Sequence, residues 1–341
     1  MLKNKNYNAL LHVWLIVLTI LIALIIVVGG LTRLTNSGLS ITEWELFKGV
    51  IPPTSSDEWL KYFNSYKEIP QYLLLNSSMS LEEFKYIFLW EYAHRLLARF
   101  IGLFFLIPFL FFLYLNILKK YLIIRLTNIF ALILIQGTVG WYMVKSGLIE
   151  NTSVSHYRLS IHLIIAFSIF SCLLWIILNS YNKTKKKFFF IKNKYSSLQI
   201  LLILLFIQII LGAFVSGLDA GKIYQTWPLM NGSYFPNDVN FNNFNNFFNF
   251  DNPSTAQFFH RNIAYLIFLL SIYLGITIFK NQEFNLYKPY LFYMGIITIQ
   301  VILGIFVLVS GANFYLASMH QISSIFLVVT ILRLYHGSIR T

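Results

Sequence analysis

Four histidines carry most of the chemistry this sequence can offer. His94, His162, His260 and His320 each stand near the start of a long apolar run, two in each half of the chain. An ionisable residue within a membrane span is costly and usually faces the bundle interior, so its default reading is functional. Paired neutral imidazoles suit the two axial positions of a six-coordinate haem iron, and four-helix bundle cores commonly house such groups. The expected pairs are His94 with His162 and His260 with His320. Small neighbours (Ala93, Ala98, Ala317 and Ser318) are expected to leave room for a flat macrocycle. Zinc or copper also takes imidazole ligands, but such a site would recruit a third donor, and only Glu91 stands near. His12, His156 and His336 are read as packing residues.

The two halves differ at one informative place. Glu91 precedes His94 by three residues and shares its helix face, whereas neutral Gln257 holds the matching position before His260. A pure electron carrier has no need of that difference. One site is therefore expected to do chemistry that needs a base or a charge-stabilising anion, and the other to hold a permanent cofactor. The competing reading makes Glu91 a helix N-terminal cap. Arg95 and Arg261 follow the first histidine of each half, and Arg33 ends the first run. They are candidates to bind haem carboxylates, or else snorkel to the interface.

These side chains need long apolar helices to position them, and the composition supplies them. Of 341 residues, 57% are hydrophobic and only 11% charged, against about 25% in soluble domains. A soluble enzyme is excluded. Eight apolar stretches run at roughly 10–31, 94–118, 121–144, 159–178, 198–217, 261–279, 288–310 and 317–335, each near the ~20 residues of a membrane-spanning helix. The runs are continuous rather than alternating, which excludes a β-barrel. The first is too long for a cleaved signal segment. The net charge of +13 would suggest nucleic acid in a soluble protein, but here it divides by loop. The two termini and the loops near 119–125, 179–197 and 280–288 sum to +14. The other side, with loops 32–93 and 218–257, sums to −1. Basic loops stay in the cytoplasm, so both termini are expected inside, with no nucleic-acid partner. The single cysteine, Cys172, rules out an intrachain disulfide.

The chain also reads as one unit written twice. Gly30, Gly38, Trp44, Gly49 and Pro52 match Gly212, Gly221, Trp227, Gly232 and Pro236; His94-Arg95-x-x-Ala98 recurs as His260-Arg261-x-x-Ala264; Gln136-x-x-x-Gly140 recurs as Gln300-x-x-x-Gly304. The expected fold is an all-α membrane protein, with eight transmembrane helices forming two four-helix bundles related by a pseudo-twofold axis. Residues 1–180 would form the N-terminal bundle, 181–197 a Lys-rich cytoplasmic linker, and 198–341 the C-terminal bundle. The Asn- and Phe-rich stretch 240–252 gives no functional signal.

Several stretches together resemble the heme A synthase family, in the form without a loop cysteine pair. They are Gly29 to Gly38 (GGLTRLTNSG), Trp44 with Pro52-Pro53, Phe84 to Arg95 (FKYIFLWEYAHR), Tyr157-Arg158-Leu159, His260-Arg261 and Ser318-Met319-His320-Gln321. The resemblance implies conversion of haem O to haem A, by oxidation of a ring methyl to a formyl group. It assigns the substrate haem to His94 and His162, with Glu91 as the acidic residue of catalysis, and a haem b to His260 and His320. It further implies delivery of haem O by a haem O synthase, an electron acceptor, contact with membrane lipid, and a link to cytochrome oxidase assembly. A bacterial inner membrane is expected, since no Arg- and Ser-rich transit segment precedes the first span. The Gly-rich faces offer a surface for a second copy. The competing functions are a bis-histidine cytochrome b acting only in electron transfer and, with less support, a transporter.

Overall fold

The computed structural model describes residues 2–44, 48–150, 152–188, 196–239 and 247–339. Lys192, Lys194 and Arg340 of the charge tally, and 240–246 of the Asn- and Phe-rich stretch, lie outside the described residues. The described chain is helical throughout, with no strand and one isolated bridge between Met230 and Ser233. The helices are α1 (Leu2–Leu34), α2 (Ser56–Lys67), α3 (Pro70–Leu75), α4 (Leu81–Tyr114), α5 (Lys120–Glu150), α6 (His156–Tyr181), α7 (Ser196–Gly217), α8 (Pro253–Lys280), α9 (Phe284–Val309) and α10 (Phe314–Ser338). All but α2 and α3 are long and apolar enough to cross a membrane, which makes eight candidate spans. The shortest, α7 at 22 residues, reaches about 33 Å at 1.5 Å per residue. The chain is a multi-pass membrane protein.

The chain divides into two compact units, Met1–Phe170 and Ser171–Thr341. In the first, α1 packs along α4, and α4 meets α5. In the second, α7 packs along α8, while α9 and α10 form the closest helix pair of the described chain. The corresponding pair α5 and α6 touches only at isolated points, such as Gly140 against His162.

The apolar runs miss where the first histidine-bearing helix starts. α4 begins at Leu81, so thirteen residues precede His94, not one short turn. Local chemistry sets that start. The Ser80 hydroxyl accepts from the Glu83 amide, and the Glu83 carboxylate accepts from the Ser80 amide, a reciprocal capping box. Ser55 and Glu58 start α2 in the same way. The extra turns of α4 are amphipathic. Phe84, Ile87 and Phe88 bury against Phe63 and Tyr66 of α2, Ile69, and Leu39 and Ile41 of the loop after α1. Tyr66, fully buried, donates to Gln71 Oε1 (3.0 Å) and accepts from Asn76 Nδ2 (2.8 Å). Burial pushes its phenol pKa up. A hydropathy window sees only charges at Glu82, Glu83 and Lys85 here, which is why the turns before His94 read as loop.

Candidate haem-ligand centre

Each of the four histidines rests on a glycine of a neighbouring helix. A Cβ at Gly29 would stand 3.1 Å from His94 Nε2, and one at Gly140 would stand 2.9 Å from His162 Cε1. In the second unit a Cβ at Gly212 would lie 3.3 Å from His260 Cε1, and one at Gly304 would lie 3.1 Å from His320 Cε1. Real Cβ contacts are rarely so short, so no other residue fits without moving the ring. This corrects two expectations. The glycine that matches Gly212 is Gly29, not Gly30, and the spacing to the next repeat glycine (Gly38, Gly221) becomes nine in both halves. The room at the histidines comes from glycines on facing helices. Ala93 and Ala98 are exposed, and Ala93, next to His94, diverges from it by about 100° around the helix.

Within the first unit the structure brings His94 and His162 together, ring centroids 6.4 Å apart and planes at 70°. That separation suits one metal atom bound at about 2 Å to a nitrogen of each ring. His260 and His320 likewise come within electrostatic reach of one another. Nδ1 of His162, His260 and His320 is buried with no hydrogen-bond partner. Paired imidazoles in glycine cradles, with ring nitrogens left over, fit an axial ligand set for haem. Among the described residues no group of three or more His, Cys, Asp or Glu could hold a metal ion, so Glu91 does not complete a zinc or copper triad. His156 is buried against Tyr157, and His336 packs on Trp175 and Asn179 at the far end of the second unit.

The residues three before and one after the first histidine form a clamp in both units. Glu91 is buried ten residues inside α4, so it is no helix cap. Its Oε2 accepts from Ser40 Oγ (2.7 Å) and the Ile41 amide (2.9 Å), and its Oε1 accepts from Arg95 Nε (3.0 Å) and Nη2 (2.6 Å). Arg95 Nη2 also donates to the Ile41 carbonyl (3.0 Å), and its guanidinium lies 5.6 Å from the Trp44 ring. Beyond the clamp, Arg95 and Arg99 line a small cleft of about 20 Å³ together with Tyr62, Tyr92, Ile51 and Pro53. In the second unit Gln257 Nε2 donates to the carbonyls of Ala220 and Tyr224 (both 3.1 Å). Arg261 donates to those of Tyr224 (2.8 Å) and Thr226 (3.0 Å). Arg33, the remaining candidate, bonds Asn36 Oδ1 (2.8 Å).

Residues 12–332 match the family model described as COX15-CtaA, cytochrome oxidase assembly protein. This chain belongs to that family. It is 51% identical to the heme A synthase of Pelagibacter ubique, over 95% of each chain. It is 43% identical to the heme A synthase of Bradyrhizobium diazoefficiens, over 90% of this chain and 86% of that one. Against the heme A synthase of Brucella ovis it is 40% identical, over 94% of this chain and 89% of the relative. What the sequence reading missed is the set of four cradle glycines and the glutamines beside the second unit's histidines. The recurring Gln-x-x-x-Gly was visible as a repeat, but its contact with a histidine was not.

Proposed function

We propose that this chain is a haem A synthase, an oxidoreductase acting on a C–H group. It oxidises a ring methyl of haem O to the formyl of haem A for cytochrome oxidase. The observation that carries the reading is the His94–His162 pair in its glycine cradles, on the same helix as a buried carboxylate, in a chain that matches heme A synthases nearly end to end. Haem O is the substrate of the first unit, with His94 and His162 as its axial ligands. His260 and His320 would hold a haem b in the second unit, and that group would supply one-electron transfer.

With water as the oxygen source, turning the methyl into a formyl releases protons and passes electrons to an electron acceptor, so positive charge develops at the ring edge. Glu91 serves as a fixed anion for that charge. Four hydrogen bonds hold both of its oxygens in place, so the carboxylate needs no reorganisation as charge appears. The clamp itself does not need a charge, since Gln257 performs it in the second unit with an amide. That contrast supports a chemical use for the carboxylate. Arg95 is proposed to meet a haem carboxylate, whereas Arg261, with both terminal nitrogens on loop carbonyls, holds its clamp. The charge division of +14 against −1 supports an inner-membrane protein with both termini in the cytoplasm. Haem O would arrive from a haem O synthase in the same membrane.

Pigment extraction tests the proposal against a cytochrome b that only carries electrons. Membranes holding this chain and supplied with haem O should yield haem A. His94→Ala or His162→Ala should abolish haem A and leave haem b, and His260→Ala or His320→Ala should remove the haem b. Haem b in both units with no haem A would sink the synthase reading.

A further inference from the structure

The two units brace their histidines differently, at positions outside the loop clamp. Gln208 on α7 donates through Nε2 to the backbone carbonyl of His260 on α8 (2.9 Å) and lies 3.4 Å from that ring's Nε2. Gln300 on α9 does the same to His320 on α10, at 3.1 Å to the carbonyl and 3.3 Å to the ring. Its Oε1 accepts from Ser323 Oγ, which also donates to the His320 carbonyl (3.0 Å). The cradle glycines fix the correspondence between units. Counting from Gly29 and Gly212, Ile25 stands where Gln208 stands; counting from His162 and His320, Ile165 stands where Ser323 stands. Gln136 matches Gln300 by its place before Gly140; its Oε1, like that of Gln208, is buried with no partner. Among the described residues no glutamine side chain crosses to the carbonyl of His94 or His162.

We infer that Gln208 and the Gln300–Ser323 pair are positioning residues that retain haem in the second unit, and that Ile25 and Ile165 make the first unit's site a releasing one. This rests on the haem assignment proposed above. An interhelical hydrogen bond at the ligand-bearing residue fixes the backbone turn from which the imidazole is aimed. In a membrane such a bond shifts an equilibrium by about threefold on average, and by more than tenfold at best. A resident electron carrier gains from that retention. A site that must give up product at every turnover does not, because product release limits many enzymes.

The test uses the purified full-length chain, with transfer of its haem to an excess of apo-globin followed in time. Gln208→Ile should speed loss of the second unit's haem by about threefold to tenfold and shift the low-spin EPR signal of that haem. Ser323→Ala, a change of one hydroxyl that leaves the fold intact, should act in the same direction more weakly. Ile25→Gln should slow haem release from the first unit. Wild-type release rates and an unshifted signal in Ser323→Ala, and in Gln208→Ile where it folds, would overturn the inference and leave the haem assignment standing. Haem content left at the wild-type level in His260→Ala overturns the assignment, and this inference with it.

Discussion

In the first unit the loop after α1 donates its hydrogen bonds to a carboxylate on α4; in the second the loop after α7 accepts them from an amide on α8. The guanidinium one place after the histidine then differs in consequence. Arg95 is paired with Glu91 at 2.6 Å and stays beside a cleft, whereas Arg261 is buried with both terminal nitrogens on loop carbonyls. The clamp thus stands at matching positions of the two units with its polarity reversed. A buried ion pair is weak evidence of stabilisation, since desolvation offsets its attraction and a neutral set can replace it. The second unit is that neutral set. The lesson is that the charge in the first unit is not explained by holding the loop.

The sharpest way to break the comparison is to make the two clamps alike. Glu91→Gln should leave the His94–His162 pair able to bind haem, because the amide oxygen can still accept from Ser40 and the Ile41 amide, with the Arg95 pair lost. Haem A formation should fall by on the order of a hundredfold to a thousandfold, as when a preorganised electrostatic group is removed. Haem content by absorption and haem A by extraction would be measured on the same membranes. Normal haem A output with normal binding would return Glu91 to the status of its neutral counterpart.

A milder change sharpens the other half of the comparison, the shared cradle. Gly140→Ala puts a Cβ 2.9 Å from His162 Cε1, while Gly137→Ala, one turn away, meets nothing within 4 Å. The first should destabilise by about 1–3 kcal/mol through overpacking and displace a ligand ring. The second should be neutral or slightly stabilising in helix propensity. Gly212→Ala, with the longest of the four approaches at 3.3 Å, should be the gentlest cradle variant. Thermal unfolding and haem occupancy of the three alanine variants would rank them. Equal effects at Gly137 and Gly140 would show that the cradle does not set the ring.

Much of this was legible in the residues alone, and the parts that were not share a physical cause. The eight spans follow from hydropathy, because a lipid core admits few charges and every apolar run of sufficient length has one place to go. The histidine pairing within the first unit follows from the repeat. Helix starts were misjudged wherever turns stand beyond the apolar run, as at Leu81, because packing of Phe84 and Phe88 under α2 and α3 depends on a tertiary partner. The glycine register slipped by one at Gly29-Gly30, because adjacent glycines are equivalent on paper and only one faces His94. The glutamine braces were invisible since they cross between helices, and no spacing within one helix encodes them.

The smallest expected effect separates what the two units share from what only the first possesses. α4 carries thirteen residues ahead of its histidine and α8 only seven, and the extra turns of α4 begin at the Ser80–Glu83 capping box. Ser80→Ala removes one side of that box, which is worth about 1 kcal/mol. The loss falls on the outermost turn, eight to eleven residues from Glu91, and the buried contacts of Phe84, Ile87 and Phe88 remain to hold the helix down. Protease sensitivity near residues 76–83 should therefore rise several-fold, with the haem spectrum and haem A yield changed by less than about twofold. A comparable loss of haem A in Ser80→Ala would mean that the extension is coupled to the histidine pair through α4. The clamp at Glu91 would then be one part of a longer lever that the second unit lacks.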